Sequence, residues 1–293
     1  MEVAEIHNNK CIDNRCYECV CNLYERLFSM YPVSLTQKKF FYVWMKKFMD
    51  EKGYMLIIPE MQCDFNRRFC EMVSNPDPFA EQKEKSNQIA MSLYVKWKPI
   101  VLSDKNPIDL ALRLSIAGNI MDYGSSNSFN IFQTIKNALH SNFAIDHSLL
   151  LKEKINKANH ILFLGDNAGE IVFDKLFIET IMHHNITYVV RGSPILNDAT
   201  IHDVQKIRMG MVTDVISNGD NSPSTILDRC SIEFLENYKN ADLIISKGQG
   251  NLEGLINEND PRIFYLLVVK CNVIADLLKV DKGSMIVYNY KEK

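Results

Sequence analysis

The hydrophobic pattern of this 293-residue chain changes period once, near residue 160, and that change limits the folds open to it. Upstream the spacing is helical. Cys16, Val20, Leu23 and Leu27 follow i, i+4, i+7 and i+11, one face of a helix that Pro32 then ends. A second helix is expected from Ser34, its N-cap, to Gly53, and a third over 60–73. The breaker Asn75-Pro76-Asp77-Pro78 precedes a fourth over 79–94, and Pro107 opens a fifth that stops at Asp122-Tyr123-Gly124. Shorter helices are expected over 129–140 and 147–158. Downstream, short β-rich runs at 161–164, 187–190, 214–217, 243–246, 263–269 and 285–288 alternate with helical stretches. That alternation is the signature of a mostly parallel sheet covered on both faces. The reading is an α/β chain: an all-α helical bundle over 1–158, then a three-layer α/β/α part over 159–293.

The first run after the switch, HILFLGDNAGE, ends abruptly at Gly165-Asp166-Asn167 before a helical pattern begins near Ala168. In an open α/β sheet, ligands collect outside the carboxyl ends of the strands, so two oxygen-bearing side chains stand where chemistry is done. A Gly-Asp-Asn turn alone is an ordinary turn with an Asx hydrogen bond. It does not stand alone, because the later strand ends carry Arg191, Ser193, Asn197 and Asp198, then Asn218, Gly219 and Asp220, then Lys247, Gln249 and Asn251. In a parallel sheet these four loops converge on one edge. The assembled site would be rich in oxygen and poor in sulfur and imidazole, which suits Mg²⁺ or Mn²⁺ rather than zinc. Such a cation, with Lys247 and the amide donors at the helix start near Ala168, would attract a phosphate. Metal-assisted phosphomonoester hydrolysis follows as the expected chemistry, the ion polarising phosphoryl group and water while Lys247 neutralises developing charge.

Charge and composition exclude other classes. The net charge is −3 and the basic residues are scattered, which argues against a nucleic-acid binder. No apolar run approaches the ~18 residues of a membrane span, the longest covering 263–269. The opening stretch MEVAEIHNNK lacks a basic region followed by an apolar one, so a cytoplasmic location is the expectation. A G-x-G-x-x-G dinucleotide fingerprint fails because Asn167 occupies the middle glycine position, and no G-x-x-x-x-G-K-[ST] loop is present.

Five longer segments carry a family resemblance: DPFAEQKEKSN at 77–87, ALRLSIAGNIMDYG at 111–124, GDNAGE at 165–170, RGSPILNDAT at 191–200 and DRCSIEFLENYKNADLIISKGQGN at 228–251. The chain resembles the metal-dependent damage-control phosphatases, formerly a domain of unknown function, over nearly its whole length, and most closely their stand-alone prokaryotic branch. The resemblance implies hydrolysis of small phosphorylated metabolites, such as sugar phosphates, including damaged or surplus ones. By motif match it implies Asp166, Asn167 and Asp198 as ligands of a divalent ion (Mn²⁺, Mg²⁺, Co²⁺ or Ni²⁺), Lys247 as the phosphate contact, and Asn119 and Asp122 facing the same site. The helical half would then contribute to catalysis. Gln249 stands where eukaryotic relatives place an aspartate, which puts an acid/base role there in doubt. A proposed S-adenosylmethionine-dependent carboxyl methylation in the family makes a methyltransferase the alternative, and a non-catalytic metabolite- or metal-binding protein is a third reading.

The remaining polar residues have plain structural readings beside functional ones. Cys11, Cys16, Cys19 and Cys21, near His7, resemble a metal knuckle but lack a second C-x-x-C at zinc-finger spacing, so buried thiols are favoured. Cys230 and Cys271 read as core. His183 and His184 read as surface, and Asp203 as either a group supporting the site or a solvated helix face. Arg113 would reach a substrate phosphate or pair with a carboxylate, while Lys83 and Asn87 belong to a family segment without an assigned role. Oligomeric state is not legible.

Overall fold

Local signals account for the first helices. The computed structural model describes residues 13–53, 56–118, 135, 139 and 141–291. Helix α1, Asn14–Met30, starts where the Asp13 side chain accepts from Arg15 N–H, and α2, Leu35–Lys52, starts at a capping box between Ser34 and Gln37. Helix α3, Ile58–Val73, carries Pro59 in its first turn and ends at Ser74, whose φ is 52°. These three helices close around an aromatic core of Tyr24, Phe28, Phe41, Phe48, Phe65 and Phe69, with the Tyr24 and Phe41 ring centroids 4.9 Å apart.

Helix α4, Ala80–Ser103, outruns its expected end at residue 94 and carries Pro99 within it. Proline disfavours a helix interior by removing one backbone donor, but Trp97 and Val101 are buried on either side of it and hold the helix in place. Helix α5, Pro107–Ala117, begins at Asn106-Pro107 as expected. The helix expected over 129–140, and the stop at 122–124, lie outside the described residues.

Seven strands form one sheet in the order β1-β7-β6-β5-β2-β3-β4. They are β1 Ile145–Asp146, β2 Ile161–Leu164, β3 Ile186–Val190, β4 Asp214–Ser217, β5 Leu243–Lys247, β6 Ile263–Val268 and β7 Met285–Tyr288. All neighbouring pairs are parallel except β6 with β7. The expected strands are present, and β1, too short for a periodic signal, was not anticipated. Alternation along the strands divides the core between two faces. Ile161, Phe163, Ile245, Phe264 and Leu266 join one cluster with α4, α5 and α7 (Glu170–Ile181). Leu162, Leu164, Ile244, Tyr265 and Leu267 join another with α9 (Ile232–Asn240), α10 (Gly248–Leu255) and α11 (Asn272–Leu278). Helix α6, Ser148–Lys157, and the short α8, Ile201–Lys206, complete the chain.

From β2 the chain winds to β3 and β4 on one side, then returns to β5 and β6 on the other. The topological switch point therefore lies between β2 and β5. Their carboxyl ends are Gly165-Asp166-Asn167 and Lys247-Gly248, flanking one crevice.

Candidate active site

Two loops are stitched together at the switch point. The Ala168 amide donates to Asn197 O at 2.9 Å, and the Ala199 amide donates to Asp166 O at 2.8 Å. Asn167 and Asp198 thereby form an isolated antiparallel bridge, bringing the loop after β3 onto the turn after β2. Asp166 is 8% and Asp198 4% exposed. The Asn167 Nδ2 lies 2.6 Å from Asp166 Oδ2. Burial, with Asp198 and Glu170 close by, pushes the Asp166 carboxyl up to about 8, against the pull of Arg191 and Lys270. Burial likewise raises Asp198, with Arg191 opposing it. The expected trio of Asp166, Asn167 and Asp198 thus stands together, two buried carboxyls beside a half-buried carboxamide.

Gly248 lets this happen. Its φ is 79°, and a Cβ there would lie 2.0 Å from Asp166 Oδ2, so a side chain would occupy the space of the carboxylate. Gly165 is equally constrained, its missing Cβ leaving room for the Tyr188 ring.

Arg191, at the end of β3, is the cation inside this cluster and 2% exposed. Its Nε donates to Asp198 Oδ2 at 2.7 Å and its Nη1 donates to Asn251 Oδ1 at 2.9 Å. Its Nη2 has no hydrogen-bond partner among the described residues and lies 3.7 Å from Asp166 Oδ1. Asn251 donates in turn to Gly165 O and Lys247 O, so it joins the two strand ends at the switch point. Expected as a substrate contact, Asn251 has its carboxamide committed within the protein. The loop at 218–220 supports from behind: Gly192 N–H donates to Asp220 O at 2.8 Å and to Asn218 Oδ1 at 3.1 Å, and Asp220 itself pairs with Arg229. Ser193 is half-buried in the loop after β3.

Lys247 is not at the mouth of the crevice. It is fully buried, and its ammonium donates to Asp174 Oδ1 at 2.5 Å, Glu170 Oε1 at 2.7 Å and Ser115 O at 2.9 Å. All three donors of a lysine are used, leaving none for a phosphate. Burial alone would lower its pKa, but Asp174 and Glu170 outweigh that and hold the group above its usual value. Asp174 also accepts from Ser115 Oγ at 2.6 Å and Tyr188 OH at 2.7 Å. A signal for this network was present: Glu170 and Asp174 sit four residues apart on a helix otherwise lined with Ile171, Val172, Phe173, Leu176 and Phe177.

Two further expectations shift. Two of the amides at the helix start are already taken, Ala168 N–H by Asn197 O and Gly169 N–H by Asn87 Oδ1. Arg113 donates to Asp109 Oδ2 and Ser141 O and lies over the Phe143 ring, all outside this cluster. Asn119 and Asp122 lie outside the described residues. An unanticipated cation is Lys270, exposed just beyond β6 at the same sheet edge and electrostatically felt by Asp166. Its backbone N–H is held by Gln249 Oε1 at 3.1 Å.

Elsewhere the outcome differs from residue to residue. The seven described cysteines are free thiols, but Cys16 and Cys21 are half-buried and Cys19 is exposed rather than buried as expected, while Cys11 and His7 lie outside the described residues. No group of three or more His, Cys, Asp or Glu among the described residues has metal-ligand spacing. The candidate centre has two carboxylates and a carboxamide instead. Cys230 and Cys271 are half-buried against the core rather than inside it, with Cys271 capping α11. His183 and His184 stack on each other at the surface. Asp203 is buried, capping α8 through Thr200. No helix among the described residues is long and apolar enough to cross a membrane.

Comparison with known proteins places this arrangement. The Damage-control phosphatase ARMT1-like domain matches residues 12–286. The chain is 32% identical over 289 residues to damage-control phosphatase PH1575 of Pyrococcus horikoshii, covering 96% of this chain and 99% of the relative. It is 33% identical over 230 residues to a damage-control phosphatase of Archaeoglobus fulgidus, covering 75% and 78%. It is also 37% identical over 228 residues to the uncharacterized protein MJ0202 of Methanocaldococcus jannaschii, covering 74% and 75%. The crystal structure of the P. horikoshii DUF89 family protein (PH1575) superposes with a TM-score of 0.87 at 30% identity, over 95% of this chain and 98% of that one.

Proposed function

Because this chain belongs to the ARMT1-like damage-control phosphatase family, we propose that it is a divalent-metal-dependent phosphatase acting on small phosphorylated metabolites. The observation that carries this reading is the pair of buried carboxyls, Asp166 and Asp198, brought to the switch point by the bridge between Asn167 and Asp198.

The residues fit a hard cation. Two carboxylates and a carboxamide offer oxygen ligands. The side-chain ends of Asp166 and Asn167 are 2.6 Å apart. Adjacent ligands on a six-coordinate ion with bonds of about 2.1 Å are separated by about 3 Å, so little adjustment is required. A half-turn of the Asn167 carboxamide presents its oxygen in place of its nitrogen. Burial, with Asp198 and Glu170 beside it, holds Asp166 at about 8, and a positive charge in the cluster would relieve this.

An ion held by Asp166, Asn167 and Asp198 would supply polarisation of a phosphoryl oxygen and activation of water. The chain's own groups do the rest. Arg191 holds Asp198 and Asn251 fixed while its Nη2, which makes no hydrogen bond among the described residues, lies 3.7 Å from Asp166 Oδ1. Lys270, exposed at the crevice edge, takes the phosphate-binding role expected of Lys247. Asn119 and Asp122 are assigned to the opposite wall on their motif match. Sugar phosphates are the proposed substrate class, and the cytoplasm the proposed location.

The test is phosphate release from p-nitrophenyl phosphate and a panel of sugar phosphates with Mn²⁺, Co²⁺, Ni²⁺ or Mg²⁺, beside the Asp166→Ala variant. Metal-dependent release abolished by that substitution is expected. Release indifferent to chelator and to the substitution overturns the proposal.

A further inference from the structure

The two loops that carry the candidate ligands are joined by a side chain from a distant helix. Asn87 lies on α4, is 3% exposed, and comes from a segment to which sequence chemistry assigns no role. Its Oδ1 accepts from Gly169 N–H at 2.7 Å, two residues beyond Asn167. Its Nδ2 donates to Asp203 Oδ1 at 3.1 Å. The other Asp203 oxygen accepts from Thr200 N–H and Thr200 Oγ1, each at 2.9 Å, two residues beyond Asp198. One carboxamide therefore spans the turn after β2 and the end of the loop after β3.

The chemistry of the link is specific. Gly169 has a φ of 81°, a conformation open to glycine, at the start of α7, where its N–H has no partner within the helix. Asn87 supplies that partner. A carboxamide accepts on one side and donates on the other at this reach, whereas an ionised aspartate could accept from Gly169 but not donate to Asp203, and leucine could do neither. Lys83, 4% exposed on the same helix, adds its ammonium 2.7 Å from Asp77 Oδ2 and 3.7 Å from Asp203 Oδ2. This sets a positive charge beside the same Asp203 oxygen that accepts from Thr200.

We propose that Asn87 is a positioning residue for the cation centre, fixing the spacing between the Asp166–Asn167 pair and Asp198. The inference rests on the reading of that centre as a metal site. Residues that orient ligands without touching the ion commonly change metal affinity about 10- to 100-fold.

The experiment uses the full chain, with Mn²⁺ alone as probe, titrated by calorimetry or electron paramagnetic resonance into wild type, Asn87→Ala, Asn87→Asp and Leu93→Ala. Leu93 is a core residue on the same helix that touches neither loop in a hydrogen bond, so its truncation reports on a merely loosened α4. Asn87→Ala is expected to weaken Mn²⁺ binding at least about tenfold and to speed amide hydrogen exchange over 168–171 and 200–204 in the metal-free protein. The nearly isosteric Asn87→Asp, read the same way, keeps the test decisive if the alanine variant does not fold. Leu93→Ala is expected to lower the melting temperature with Mn²⁺ affinity within about twofold of wild type. Affinity unchanged in both Asn87 variants, or lost equally in Leu93→Ala, overturns the inference alone. Wild-type protein that takes up no Mn²⁺ overturns the metal-site reading, and this inference with it.

Discussion

The Lys247 ammonium lies 2.5 Å from Asp174 Oδ1, and neither side chain reaches solvent. A buried ion pair seldom adds net stability, but removing one partner strands a charge in the interior. In this network one lysine faces two carboxylates, Asp174 and Glu170, so its removal strands both.

Lys247→Met is therefore expected to destabilise the fold by about 3–5 kcal/mol, measured by urea denaturation. Adding Asp174→Asn is expected to recover part of that loss, with a coupling of about 1–3 kcal/mol. A Lys247→Met variant as stable as wild type, with reduced phosphatase activity, would restore Lys247 to the substrate.

Lys270→Ala is expected to behave in the opposite way. Its side chain is exposed, so the melting temperature should stay near that of wild type. A lost charged hydrogen bond to a phosphate is about 1.5–3 kcal/mol, so kcat/KM should fall about 10- to 150-fold, mainly through KM. An unchanged KM would remove Lys270 from the site.

Gly248→Ala is expected to damage the candidate centre while Gly210→Ala does not. At Gly248 the backbone is left-handed and the new methyl meets the Asp166 carboxylate. Strain of about 1–3 kcal/mol should show in denaturation, and Mn²⁺ affinity should fall as Asp166 is displaced. At Gly210 nothing lies within 4 Å of a Cβ, so alanine should be neutral or stabilise by up to about 1 kcal/mol.

Glu253 should make stability depend on pH near neutrality. Burial pushes its carboxyl up to about 7, while the hydrogen bond from Gln249 pulls it down. A raised carboxyl pKa means that the folded state keeps a proton the unfolded state releases. Its stabilising contribution is complete below about pH 4, declines as pH rises, and is lost above about pH 7. The slope it can cause is at most one proton, about 1.4 kcal/mol per pH unit. Glu253→Gln should flatten thermal stability between pH 5 and about 8 relative to wild type, and unchanged curves would sink the assignment.

The positions of the candidate site's strand-end residues were legible before folding because strand ends announce themselves. The run Ile161–Leu164 stops at Gly165, and the Asp and Asn that follow have no place to go but the sheet edge. The same reasoning located Asp198 and the loop at 247–251. It misjudged Lys247, because a strand's last residue points either to the crevice or into a face, and β5 turns this one toward α5 and α7. It passed over Lys270 because its strand, β6, ends in an apolar run with no polar cluster to mark the place.

The sequence by itself determined the period switch near residue 160, the strand–turn–helix at 165–170 and the glycines that permit it, since these depend on neighbours in the chain. Tertiary structure decided which polar groups face a ligand and which face each other. Asn87 and Gly169 are 82 residues apart, and Lys247 and Asp174 are 73 apart. No local pattern encodes such pairs, because each forms only when helices laid on one face of the sheet bring a donor within 3 Å of a buried acceptor.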